Sequence, residues 1–151
     1  MLRERFSEAL KQAMRDKDQL TVSTVRLILA RLKERDIEVR PKGNAEGISD
    51  ADIQQMMQGM IKQRRESIEL YDKGGRPELA QKEAGEIAII ERFLPKALSE
   101  AETEAAIKTV IAAIGAAGIK DMGRTMAALK ERYPGQLDPA KASQVVKRLL
   151  G

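Results

Sequence analysis

Apolar positions recur along this chain at three- and four-residue intervals, the period of an α-helix, and no stretch alternates as a half-buried strand would. Leu2, Phe6, Ala9, Leu10 and Ala13 make one stripe, and Val22, Val25, Leu29 and Leu32 make a second, with Thr21 placed to cap it. The stretch "RPKGNAEGIS" (Arg40–Ser49) breaks the period with a proline and two glycines and reads as an exposed loop. Ser49 and Asp52 resemble a capping box, opening a third helix with stripe Ile53, Met57, Met60, Ile61, Arg64 and Ile68. Gly74 and Gly75 end it, and Pro77 suits the first turn of a fourth helix carrying Leu79, Glu83, Glu86, Ile87, Ile90 and Leu94. Pro95 disfavours helix at the residue before it and marks the main boundary.

Beyond that boundary, Ser99 and Glu102 form a second capping box before Thr103, Ile107, Val110, Ile111 and Ile114. Asp121 is placed to cap a sixth helix with Met122, Met126, Leu129 and Tyr133, which Pro134–Gly135 stops. Asp138 followed by Pro139 starts a seventh, with Ala142, Val145, Val146 and Leu149 inward. The pattern predicts an all-α protein: a four-helix bundle over residues 1–95, then a small three-helix domain over 96–151.

Composition narrows the chemistry. The 151 residues include no Cys, no His and no Trp, with two Phe and two Tyr. The chain therefore has no thiolate nucleophile, no imidazole base, no common zinc ligand set and little to stack on splayed bases. No metal and no cofactor is expected. The first 18 residues mix acidic and basic side chains, unlike a secretory signal or a transit peptide. With no cysteine framework, the expected compartment is the cytosol. Apolar runs such as "VIAAIGAAGI" fall short of the roughly 20 residues needed to cross a bilayer, so no membrane partner is expected. The net charge is +4. Residues 1–95 hold 18 Lys/Arg against 17 Asp/Glu, while residues 96–151 hold 9 against 6, so the shorter segment carries most of the excess.

Three clusters follow. On the last two helices, Lys120, Arg124, Lys141, Lys147 and Arg148 lie mostly off the apolar stripes, and suit phosphate contacts on structured RNA or a merely solvated face. Lys73 and Arg76 flank two glycines ahead of a helix start, a possible anion or partner contact. No P-loop or dinucleotide fingerprint accompanies them, and a helix C-cap accounts for the glycines. Arg64, Glu83 and Glu86 fall on or beside facing apolar stripes, where a structural salt-bridge seam outweighs paired catalytic carboxylates or half a metal site. Met56, Met57 and Met60 read as core filling.

Three blocks carry a resemblance. They are "TVRLILARLKERDIE", "IKQRRESIELYDKGGRPELAQKEAGEIAIIERFLPKALSEAE" and "DMGRTMAALKERYPGQLDPAKASQVVKRLL". The second is the most specific, with Arg64–Arg65–Glu66, Gly75–Arg76, Glu83, Glu86 and Leu94–Pro95. Together they resemble the YqeY-like proteins of the GatB/YqeY domain family over essentially the whole chain. The resemblance implies a helical N-terminal domain and a three-helix tail. That tail is similar to the one on the GatB component of the aspartyl/glutamyl-tRNA amidotransferase, which helps recognise tRNA. The amidotransferase's catalytic machinery has no counterpart in these residues, and the family supplies no catalytic residues to carry over. The expected role is a non-catalytic accessory protein associating with tRNA or tRNA-dependent amidation through residues 96–151. Two alternatives stand beside it. One is an interaction module docking on a synthetase or amidotransferase through Arg40–Ser49 or Lys73–Arg76. The other is glutamine-dependent carbon–nitrogen ligase activity.

Overall fold

The computed structural model describes residues 1–151. It is all-α, with seven α-helices, two 3-10 turns and no strand. Packing divides the chain into Met1–Leu94 and Pro95–Gly151. No helix is long and apolar enough to cross a membrane.

The first unit holds α1 (Leu2–Arg15), α2 (Gln19–Val39), α3 (Asp50–Lys73) and α4 (Pro77–Glu91). Helix α2 touches all three others, and the most extensive pairing is α3 on α4. Phe6, Val25, Ile28, Ile53, Met57 and Ile90 are fully enclosed, and Met56 and Met60 join the same core. Phe6 and Phe93 meet edge to face with centroids 4.9 Å apart, a favoured aromatic geometry.

Local punctuation differs from the sequence pattern at several points. Helix α2 starts two residues before Thr21, and its cap is Asp18, whose carboxylate accepts from the Thr21 amide and hydroxyl. Thr21 is itself buried, so it serves the core together with Val22. Ile28, absent from the expected stripe, is fully buried, while Leu29 is only half-buried. Helix α4 ends at Glu91, before Leu94. The loop after α2 begins as a 3-10 turn, Arg40–Lys42. Its far end is tied down: the Asp36 carboxylate accepts from the Ile48 amide, and Arg3 donates to both Asp36 and the Ile48 carbonyl. Gly47 sits inside this clasp at φ 95°, where any Cβ would collide with Asp36.

The second unit holds α5 (Glu100–Ile114), α6 (Met122–Arg132) and α7 (Pro139–Leu150). Ser99 and Glu102 make a complete capping box at the start of α5, and left-handed Gly115 ends that helix. Asp138 caps α7 by accepting from the Ala140 amide, with Pro139 in the first turn. Ile107, Val110, Leu129, Leu137, Ala142 and Val146 form the core. Thr125 is also fully buried, and its hydroxyl donates to the Asp121 carbonyl.

Candidate nucleic-acid interface

The solvent face of α7 is set by its buried residues. Ala142 and Val146 turn inward, which leaves Lys141, Gln144, Lys147 and Arg148 exposed on the opposite side. Lys141 and Lys147 are six residues apart, roughly 9 Å along the axis. Neither has a salt-bridge partner. Arg148 does: its guanidinium lies 3.3 Å from Glu104, which also meets Lys108 at 3.6 Å. The end of α7 abuts the 3-10 turn Ile119–Asp121, since a Cβ placed on Gly151 would come 3.6 Å from Ile119 Cδ1. Lys120, exposed and without a salt bridge though close enough to Asp121 to help lower its carboxyl, belongs to that turn.

Arg124 has a different assignment. Its guanidinium donates to the Ile114 carbonyl at 3.1 Å and to Asp121 at 3.2 Å, joining the end of α5 to the start of α6. The Ile114 carbonyl is one of the orphan acceptors left at a helix C-terminus, so Arg124 acts first as a clamp. Asp121 does not cap α6; it turns back and accepts from the Ala117 amide at 2.9 Å. That bond and the neighbouring Arg124 hold its carboxyl below the usual range. Five cations singled out by sequence thus separate into three that make no salt bridge, Lys120, Lys141 and Lys147, and two that are bridged, Arg124 and Arg148. The Asp121–Arg124 pairing was legible as an i,i+3 spacing, but Glu104 as a partner of Arg148 was not, because 44 positions separate them.

In the first unit, Arg64, Glu83 and Glu86 come together across the α3–α4 seam. Arg64 Nε donates to Glu86 Oε2 at 2.8 Å and stands 3.9 Å from Glu83 Oε2. Its Nη1 donates to the Met60 carbonyl, one turn back. Glu86 is buried, and with its charge shared by a guanidinium it makes a poor acid–base pair with Glu83. Lys73 and Arg76 do not converge. Arg76 donates to Glu78 at 3.1 Å at the exposed start of α4, while Lys73 ends α3 without a partner.

The chain is similar to known proteins over most of its length. The YqeY-like protein family model matches residues 3–150. The chain is 32% identical over 104 residues to the "Altered inheritance of mitochondria protein 41, mitochondrial" of Lachancea thermotolerans, covering 68% of this chain and 54% of that protein. It is 33% identical over 109 residues to the protein of the same name in Kluyveromyces lactis, covering 70% and 56%. The chain spans about half the length of these curated relatives. Their names correct the cytosolic expectation, because they point to mitochondria. A cysteine-free chain reports only that no disulfide framework is needed, which does not separate one disulfide-free compartment from another. On the match over residues 3–150, the chain belongs to the YqeY-like protein family.

Proposed function

We propose that this chain is a non-catalytic accessory protein that associates with tRNA or with tRNA-dependent amidation through residues 96–151. One observation carries the reading: Lys120, Lys141 and Lys147 are exposed and make no salt bridge on a small unit with a net basic excess. Unpaired surface cations gain most from meeting phosphate, since binding releases condensed counterions and breaks no internal ion pair. The likeness of this unit to the GatB tail of the amidotransferase supports the same assignment. Few aromatics are present, which favours backbone and shape contacts over base stacking. The carboxylates best placed for acid–base work are committed to Arg64, which supports a non-catalytic role.

The test is a titration with unfractionated tRNA across a salt series. Wild-type protein should bind with a steep salt dependence. Replacing Lys120, Lys141 and Lys147 by Gln should reduce the log–log slope by roughly 2–3. Arg124→Gln should instead lower stability, by loosening the α5–α6 junction, with a smaller change in slope. No binding at low salt overturns the proposal.

A further inference from the structure

The basic excess of the second unit is not the only charge asymmetry. Residues 1–42, which include α1 and α2, hold 11 Lys/Arg against 7 Asp/Glu, whereas residues 43–94 hold 7 against 10. The near-neutral total of the first unit hides a basic half and an acidic half. Within the basic half, Arg26, Lys33 and Arg40 are spaced seven residues apart. Seven residues is almost two helical turns, with a drift of only about 20°. Arg40 continues the helix at φ −58° and ψ −46°, so all three share one edge. Successive members stand about 10.5 Å apart along the axis.

All three are exposed. The ion pairs of α2 are made by Arg31 with Glu34 and by Asp36 with Arg3, which leaves Arg26, Lys33 and Arg40 without a salt-bridge partner, Arg40 acting on Asp36 only at longer range. Lys42, in the 3-10 turn two residues after Arg40, lies off this edge. Arg26 also borders a shallow groove with Gln19, Val22, Ser23 and Leu27. Cations at the C-terminal end of a helix favour its dipole, which accounts for Arg40 and Lys42. It does not account for Arg26 and Lys33, which lie well inside the helix.

We propose that this edge of α2 is a second RNA-backbone surface, separate from the one on residues 96–151. The inference rests on reading the protein as RNA-associated, and it assigns part of that binding to the first unit. A nucleic-acid strand carries phosphates every few ångströms, so a straight row of cations finds partners in any register. An acidic protein would have to place its carboxylates at matching intervals. It would also need apolar contact area, and Leu27 and Ile37, each about half exposed, lie ten residues apart, too far to form one patch. No exposed aromatic ring accompanies the row, so the contact is with phosphate and not with base faces. Two modest surfaces on one chain raise affinity through effective concentration where a single RNA reaches both.

The experiment compares four full-length proteins with unfractionated tRNA between about 50 and 200 mM salt. They are the wild type, Arg26→Gln/Lys33→Gln/Arg40→Gln, the tail set Lys120→Gln/Lys141→Gln/Lys147→Gln, and the charge-matched Lys11→Gln/Lys62→Gln/Lys82→Gln. Circular dichroism establishes that each is folded. The α2 set should weaken low-salt binding by about tenfold or more and lower the slope by roughly 2–3, well beyond the charge-matched set. An α2 set indistinguishable from the charge-matched set overturns this inference. If the tail set alone abolishes the salt dependence, the tail reading stands and the α2 surface falls. If only the α2 set matters, the tail reading falls and this one stands. Poly-glutamate competing as well as inorganic polyphosphate at equal charge would assign the row to an acidic protein and overturn the RNA surface.

Discussion

Thr24 shows how a single polar atom can stand out in an apolar core. It is fully buried on α2, and its hydroxyl has no hydrogen-bond partner. The Leu20 carbonyl, one turn back, already accepts from the neighbouring Ser23 hydroxyl. A buried unsatisfied hydroxyl costs on the order of 1–3 kcal/mol, and an apolar group of the same shape avoids that cost. Thr24→Val should therefore stabilise the protein by about 1 kcal/mol, read as a higher urea midpoint with an unchanged slope. A lower midpoint would mean the hydroxyl is satisfied in solution. Thr24 lies within the "TVRLILARL" block, yet nothing in that string distinguishes a buried threonine from an exposed one. The string does not favour Ile28 over Leu29 either. Both are apolar neighbours, and the choice between them is made by which partner helix lies alongside.

At the level of elements, caps were legible where the acceptor and the amide lie within four residues. Ser99–Glu102 and Asp138–Pro139 are such cases, because everything they need is local. The roles of Asp18 and Asp121 are just as local but fall between competing neighbours: Thr21, which the pattern offers as the cap, is instead the residue whose amide and hydroxyl Asp18 accepts from, and Asp121 bonds Ala117 and Arg124 in place of the α6 amides. The α3–α4 seam was readable as charges on apolar stripes. Removing one partner leaves the other buried: Arg64→Ala should cost about 3 kcal/mol, whereas Arg64→Met with Glu86→Leu should stay within about 1 kcal/mol of wild type. Equal losses in the two variants, measured by chemical denaturation, would argue against a seam whose cost is an orphaned charge. The α1–α2–loop clasp makes a pH prediction. Hydrogen bonding from Arg3 outweighs desolvation and holds the Asp36 carboxyl below its usual range. A depressed carboxyl stabilises the fold above its ordinary value, near 3.9, and that contribution is lost as pH falls through the lowered one. Asp36→Asn should thus be less stable than wild type at neutral pH, with the gap closing as pH falls below about 4. A gap that is constant down to pH 2 would exclude Asp36 as the titrating group.

The whole molecule contains two separate hydrophobic cores, one in residues 1–94 and one in 95–151. All-helical class was legible because one period runs through every segment. The split of the basic residues into free and engaged ones was not, because Glu104 and the Ile114 carbonyl reach their arginines only in the folded chain. The second core is small, resting on Ile107, Val110, Leu129, Leu137, Ala142 and Val146, and small cores are marginal on surface-to-volume grounds. Ile107 is fully enclosed, so Ile107→Ala should remove roughly 2–4 kcal/mol from that unit, a large share of what a core of this size supplies. Hydrogen exchange resolved by segment should then show faster exchange across α5, α6 and α7, with protection of the α2–α3–α4 core largely retained. Exchange rising equally over residues 1–94 would mean that the two cores unfold as one. Adding tRNA should restore protection in residues 95–151 of the Ile107→Ala protein, because a ligand that binds only the folded form stabilises it by mass action. Failure of tRNA to restore protection, in a variant whose Lys120, Lys141 and Lys147 are intact, would separate the tail cations from RNA binding altogether.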